Sequence, residues 1–280
     1  MTSYGQSSFQ GGTFQGLEAG EPLPRQLGVY GWWDAGMGVQ TNSISRVSVW
    51  TDQSGNGFNM SNYSNVISGM NSQPTFTREP ATNFFPALNL TLPAGTGNPR
   101  PLRLFGTFPE AFAGIDKPFT FITLCAPITN SSGGNSWAFQ RSNGTNSLTS
   151  IMMGFIPLTG GNQFRLNRMG DTNRSTVALV NLGNAQISIS NYYYSTFTYD
   201  GVNARAYVNL TAGTNNVPVS QGITTANYFQ LAGCSRTNFS GSDVNGQAYM
   251  TAFLAWTNAL SGSQVTNVIN WYNQNRYKTF

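Results

Sequence analysis

From Tyr30 onward the chain alternates short apolar and aromatic runs with clusters of Gly, Asn, Pro and Asp, the pattern of an all-β chain. Val47 to Trp50 is one such run, and it leads into Thr51-Asp52-Gln53-Ser54-Gly55-Asn56-Gly57. Glycines there accept positive φ and Asp52 can bond its own backbone, so the segment predicts a tight turn. Phe119 to Cys125 is apolar on both alternating faces apart from its threonines, as a central strand covered on both sides must be. Between Asn130 and Asn146, Trp137 and Phe139 stand in a Ser, Gly and Asn background, which predicts a strand framed by two loops. Tyr192 to Tyr199 and Ala204 to Leu210 flank Asp200-Gly201, a hairpin signal. Gln247 to Trp256 predicts a last long strand, with Tyr249, Thr251 and Phe253 on one face and Met250, Ala252, Leu254 and Trp256 on the other.

One helix interrupts this pattern, near residue 265. Ser261 and Gln264 match a capping box, and Val265, Val268, Ile269 and Tyr272 fall on one helical face. Arg276 and Lys278 follow, where cations favour a helix C-terminus. Residues 1–27 differ from the rest: rich in Gly, Gln and Ser and closed by Pro22 and Pro24, they show no apolar periodicity. They predict an extended arm whose Tyr4, Phe9 and Phe14 dock onto a neighbouring subunit; the alternative is an unstructured terminus. The predicted organisation is that arm followed by one all-β domain, an antiparallel β-sandwich over 28–280 with a short C-terminal helix.

Composition narrows the setting. The chain is 280 residues long with 39% apolar residues, including 19 Phe, 12 Tyr and 6 Trp, enough for a core without staples. Charged residues are only 9%, so the polar surface must be built from Asn, Ser, Thr, Gln and Gly. Such a surface is indifferent to pH and salt, as an extracellular or virion surface requires. The net charge of +4 comes from scattered residues, and no basic run marks a nucleic-acid tract. Cys125 and Cys234 each sit in an apolar stretch and read as buried thiols; whether they are bonded is left open by the sequence. The start Met1-Thr-Ser-Tyr is unlike a secretory signal, and no apolar stretch is long enough for a membrane span. The expectation is assembly from a host cytoplasm, with the Asn-x-Ser/Thr sites such as Asn89 and Asn209 unglycosylated.

The order of several motifs resembles the concanavalin A-like lectin/glucanase superfamily, in its laminin-G-like branch found in viral and bacterial surface proteins. Trp33-Asp34-Ala35, Val49 to Gly57 and Gln73-Pro74-Thr75-Phe76 follow the opening order of such domains. Asn83 to Leu90 is similar to their next strand, Tyr199-Asp200-Gly201 with Tyr207-Val208-Asn209 to the late hairpin, and Ala259-Leu260-Ser261 with Trp271, Tyr272 and Tyr277 to the closing strand and helix. The likeness spans roughly residues 30–280 and implies a jelly-roll sandwich. It departs from the pattern after Leu90, at Pro93, Pro99 and Pro101, and in the Asn- and Gly-rich middle loops.

The chain contains no His, which excludes Ser-His-Asp and Cys-His catalysis. Glycoside hydrolysis needs two carboxylates flanking one bond, and the Glu-x-Asp-x-x-Glu strand that hydrolytic relatives of the superfamily carry is missing. The expectation is therefore no enzymatic activity. Asp34, Asp52 and Asn56 are hard oxygen donors suited to calcium, which the resemblance also implies at a loop edge; the competing reading is that Asp52 and Asn56 simply make the turn. For a glycan, Trp137, Trp32 and the Tyr192 to Tyr194 cluster, Tyr193 above all, are the candidate platforms. The function this predicts is a virion structural protein, a bacteriophage head-decoration or fibre/tail component that docks on other virion proteins through the arm and forms homo-oligomers. The alternative is a carbohydrate-binding adhesin that recognises host surface glycans.

Overall fold

The structure is a computed structural model, and it describes residues 21–43, 45–62, 74–77, 85–90, 102–105, 107–114, 116–127, 134–142, 147–158, 161–168, 178–179, 191–212, 217–218, 228–231 and 248–277. A helical turn, α1 (Leu23–Gln26), precedes β1 (Gly31–Asp34), β2 (Val39–Thr41), β3 (Val47–Trp50), β4 (Met60–Asn62), β5 (Thr75–Thr77), β6 (Ala87–Asn89) and β7 (Leu102–Phe105). A second turn, α2 (Thr107–Glu110), leads to β8 (Phe119–Pro127), β9 (Gly134–Ser142), β10 (Ser147–Leu158), β11 (Gly161–Arg168) and β12 (Ala178–Leu179). Then come β13 (Tyr193–Tyr199), β14 (Asn203–Val208), β15 (Thr211–Ala212), β16 (Val217–Pro218), β17 (Tyr228–Leu231), β18 (Ala248–Trp256) and α3 (Gly262–Asn275).

The strands form two antiparallel sheets. One runs β15-β14-β13-β8-β18-β6-β5, with β1 added beside β18 and β16 beside β14. The other runs β12-β11-β10-β9-β17-β7-β4-β3-β2. The sheets meet at one edge, where Val47 donates to the Pro74 carbonyl (2.9 Å) and Phe76 to that of Ser45 (2.8 Å). This is the predicted antiparallel β-sandwich with one C-terminal helix.

Two apolar layers hold it together. Between the sheets lie Trp33, Val47, Trp50, Met60, Phe121, Phe197, Phe229 and Phe253. On the far side of the first sheet, Trp32, Ile122, Leu124, Leu254 and Trp256 pack against Val265, Val268, Ile269 and Tyr272 of α3. Each such buried side chain contributes about 1.5–3 kcal/mol, so α3 is held by packing rather than by propensity. Strands β8 and β18 are thus covered on both faces, as their near-continuous apolar sequences require. Neighbouring residues on β1 show the same division: Trp33 enters one layer and Trp32 the other.

The capping box is present: Ser261 accepts from Gln264 N–H (3.3 Å) and the Gln264 carboxamide accepts from Ser261 N–H (2.8 Å). The hairpin also forms, β13 against β14, with the Asp200 carboxylate accepting from Val202 N–H (2.9 Å) and Asn203 N–H (2.7 Å). Two expectations are corrected. Strict alternation put Met250 with Ala252, Leu254 and Trp256, but a bulge between Met250 and Ala252 moves it to the inter-sheet layer with Phe253 and Ala255. An inserted residue resets which side chains face which way. Residues 21–27, read as the end of an extended arm, instead form α1, with Leu23 and Leu27 packed on the α3 layer. Pro22 and Pro24 suit the first positions of a helix, and two leucines four apart share one face. Tyr4, Phe9 and Phe14 lie outside the described residues.

Candidate functional site

The turn after β3 is built around one carboxylate. Asp52 Oδ1 accepts from Trp32 N–H (2.9 Å) and Ser54 N–H (2.8 Å), while Oδ2 accepts from the Ser54 hydroxyl (2.6 Å) and Phe58 N–H (3.1 Å). Asn56 donates its amide to the Tyr30 carbonyl (2.9 Å), and Arg25 clamps the Gln53 carbonyl through Nε and Nη2 (2.9 and 2.7 Å). The turn therefore ties α1 and the β1 entry to β3.

Asp34 closes a second network at the other end of the chain. Its carboxylate is buried and accepts from Gly36 N–H (2.8 Å), the Tyr277 hydroxyl, and Arg276 Nη2 and Nε (3.1 and 3.3 Å). The Arg276 side chain is 8% exposed, so the pair lies largely out of water. Burial alone would lower the guanidinium, but Asp34 with Tyr277 and Tyr272 more than offsets it, and Arg276 is held above its usual range. Burial, followed by the Asp34 charge, drives the Tyr272 and Tyr277 phenols well above theirs.

The oxygen donors read as a calcium set, Asp34, Asp52 and Asn56, fall in these two hydrogen-bond networks. Each Asp52 oxygen accepts two N–H or O–H donors, Asp34 Oδ1 accepts three and Oδ2 one, and the Asn56 amide nitrogen donates to a carbonyl. Among the described residues, no three His, Cys, Asp or Glu side chains converge as a metal site.

Of the aromatic candidates, Trp32 and Tyr192 to Tyr194 are buried. Tyr193 is buried in the inter-sheet layer beside Cys125, while Tyr192 and Tyr194 lie in the α3 layer. Trp32 donates its indole N–H to the Tyr272 hydroxyl. Trp137 lies on β9, in backbone register with Leu231 of β17. Cys125 is buried with a free thiol, pushed up to about 12 by burial against a lowering hydrogen bond from Ser195; Cys234 lies outside the described residues.

What the structure brings forward instead is a sheet face. The first sheet is covered outside by α1 and α3, but among the described residues no helix packs on the outer face of the second. Fully buried Trp50, Met60, Phe229 and Leu231 mark its core side, so Val49 and Ser61, which alternate with Trp50 and Met60, fall on the other.

The class these features define is a two-sheet antiparallel β-sandwich closed by one C-terminal helix. No protein-family model matches the chain, and no curated protein matches it in sequence. Solved structures do share the fold. The sialidase of Trypanosoma rangeli in complex with sialic acid superposes with a TM-score of 0.55 over 89% of this chain at 12% identity. A botulinum neurotoxin serotype D/C binding domain superposes with a TM-score of 0.51 over 83% at 14% identity. The match spans 33% of the sialidase chain and 50% of the toxin domain. At such identities the likeness is one of fold.

Proposed function

We propose that the chain is a non-catalytic carbohydrate-recognition module. The observation that carries this reading is the sandwich it shares with a sialidase bound to sialic acid and with a toxin binding domain, combined with a second sheet whose outer face no described helix covers. Sugar hydroxyls are met by amides and hydroxyls, and this chain's surface is made of them: only 9% of its residues are charged. The non-catalytic part is supported by the carboxylates themselves. Asp34 and Asp52 are saturated by donors, Asp116 accepts from the Tyr199 hydroxyl (2.7 Å), and Asp200 shapes the hairpin. The test is a glycan array probed with the full chain, followed by sugar-release assays on the ligands found. Reproducible binding without release is expected; an empty array would overturn the reading.

The setting we propose is a virion, in which a bacteriophage head or fibre carries the module through residues 1–20. The charge-poor surface supports this second reading, as does α1, which docks on the sandwich and gives the preceding segment a fixed point of departure. Co-sedimentation with empty particles tests it: full-length protein should pellet with them, and protein lacking residues 1–20 should stay in solution.

A further inference from the structure

The turn after β3 holds a pair of residues whose chemistry its hydrogen-bond network leaves open. Among the described residues, Asn56 is the only asparagine followed by a glycine, and both Asn56 and Gly57 are exposed. Gly57 takes φ +78°, and a Cβ built on it would meet nothing within 4 Å. The N–H groups around it are engaged: Ser54 and Phe58 donate to Asp52, and Asn56 to the Ser54 hydroxyl. Gly57 N–H, among the described residues, donates to no acceptor. An unhindered, unbonded backbone nitrogen therefore stands one residue beyond an exposed carboxamide.

We infer that Asn56 is a site of spontaneous deamidation. Gly57 N attacks Asn56 Cγ, the new N–Cγ bond closes a five-membered imide, and the side-chain nitrogen leaves as ammonia after taking up the proton that Gly57 N gives up. Water then opens the imide at either carbonyl, leaving aspartate or isoaspartate at position 56. Glycine permits the approach because it has no Cβ to obstruct it. A nitrogen whose proton is not held in a hydrogen bond surrenders it to base more readily. The exposed neighbours Asn42 and Asn59 lack this combination. Each is followed by a residue with a side chain, Ser43 or Met60, and each carboxamide oxygen accepts a backbone N–H, from Arg46 and Asp52 respectively (3.0 Å each).

The site matters because of what Asn56 holds. Its amide nitrogen donates to the Tyr30 carbonyl (2.9 Å), one of the ties between this turn and the start of β1. Deamidation puts a carboxylate oxygen where the donor was, so acceptor faces acceptor and the tie is lost. The isoaspartate product also lengthens the main chain by a methylene, inside a loop that Ser54 and Phe58 close on Asp52. The Ser54 hydroxyl keeps its own bond to the Tyr30 carbonyl (3.2 Å), so the turn is loosened rather than released.

The full chain incubated in mildly alkaline buffer, folded and in urea, tests this, with proteolysis and mass spectrometry reading each asparagine and an ammonia assay reading the leaving group. Folded protein should accumulate aspartate and isoaspartate at position 56 ahead of positions 42 and 59, faster as pH rises. Asn56→Gln should stop that conversion. Asn56→Asp should lower the melting temperature by about 2–4 °C, the shift expected for one lost hydrogen bond. An Asn56 that stays intact in the folded chain while converting in urea would overturn the inference, since the Tyr30 bond would then protect it. Conversion of Asn42 or Asn59 at the same rate would overturn it as well, because the open geometry at Gly57 would then have no effect.

Discussion

A single carboxylate can organise more structure than a hydrophobic side chain of similar size. Asp52 satisfies three backbone N–H groups and one hydroxyl, so truncation orphans all of them at once. Asp52→Ala should cost about 2–4 kcal/mol in urea unfolding, and Asp52→Asn less because one oxygen remains. Added calcium or a chelator should leave the wild-type melting temperature unchanged, since the same donors occupy the oxygens a cation would need. Residue chemistry also sets the alkaline limit. In the unfolded chain a thiol ionises near 9.0 and phenols near 10.0, whereas in the folded chain burial pushes Cys125 up to about 12 and holds Tyr272 and Tyr277 well above the ordinary phenol value. The unfolded chain therefore loses protons first as pH climbs; the stability is present in full below pH 9 and falls above it. Melting temperatures measured across that window check this, and iodoacetamide should label Cys125 only once the chain unfolds. The Asp52 turn was legible in its Gly- and Asn-rich sequence, but its reach back to Trp32 and Tyr30 was not, because a hydrogen bond spanning twenty or more residues leaves no local pattern.

Helix α3 shows how an element can be specified at both ends by different means. Ser261 caps its start, and Ser261→Ala should cost about 1 kcal/mol. Its other end is tied by Arg276 and Tyr277 to Asp34 of β1, more than two hundred residues away. Arg276→Met leaves that carboxylate buried without its counter-charge and should cost about 3–5 kcal/mol, whereas adding Asp34→Asn should recover much of the loss; a double-mutant cycle in urea reads the coupling. The cap and the apolar stripe of α3 were plain in the sequence because both are local. Arg276 was read there as a helix-end cation, which is true of its position but omits its partner. Strand β18 was legible as an element and misread in its faces, since a run so uniformly apolar carries no mark of the bulge at Thr251. The hairpin of β13 and β14 escaped that ambiguity because Asp200-Gly201 fixes its register.

At the scale of the molecule, the sandwich was readable from strand-length runs and turn signals, while the face that the helices cover was not. Alternation says that a strand has two faces but not which one another layer covers, and the candidate aromatics Trp32 and Tyr193 proved to be buried. The arm remains a matter for measurement. Mass in solution should reveal an oligomer for the full chain and a monomer once residues 1–20 are removed, with melting temperature preserved because the described contacts of α1 involve residues from 21 onward. Such a deletion respects the boundary the fold draws, whereas removing residues 1–27 would strip Leu23 and Leu27 from the α3 layer. The placement of α1 has one more effect. Residue 21 enters the sandwich on the side of α1 and α3, behind the first sheet, and the second sheet lies across the inter-sheet layer from that side. A copy moored by its leading segment would hold the helices toward the mooring and the second sheet away from it, so the direction of display is built into which sheet the helices cover.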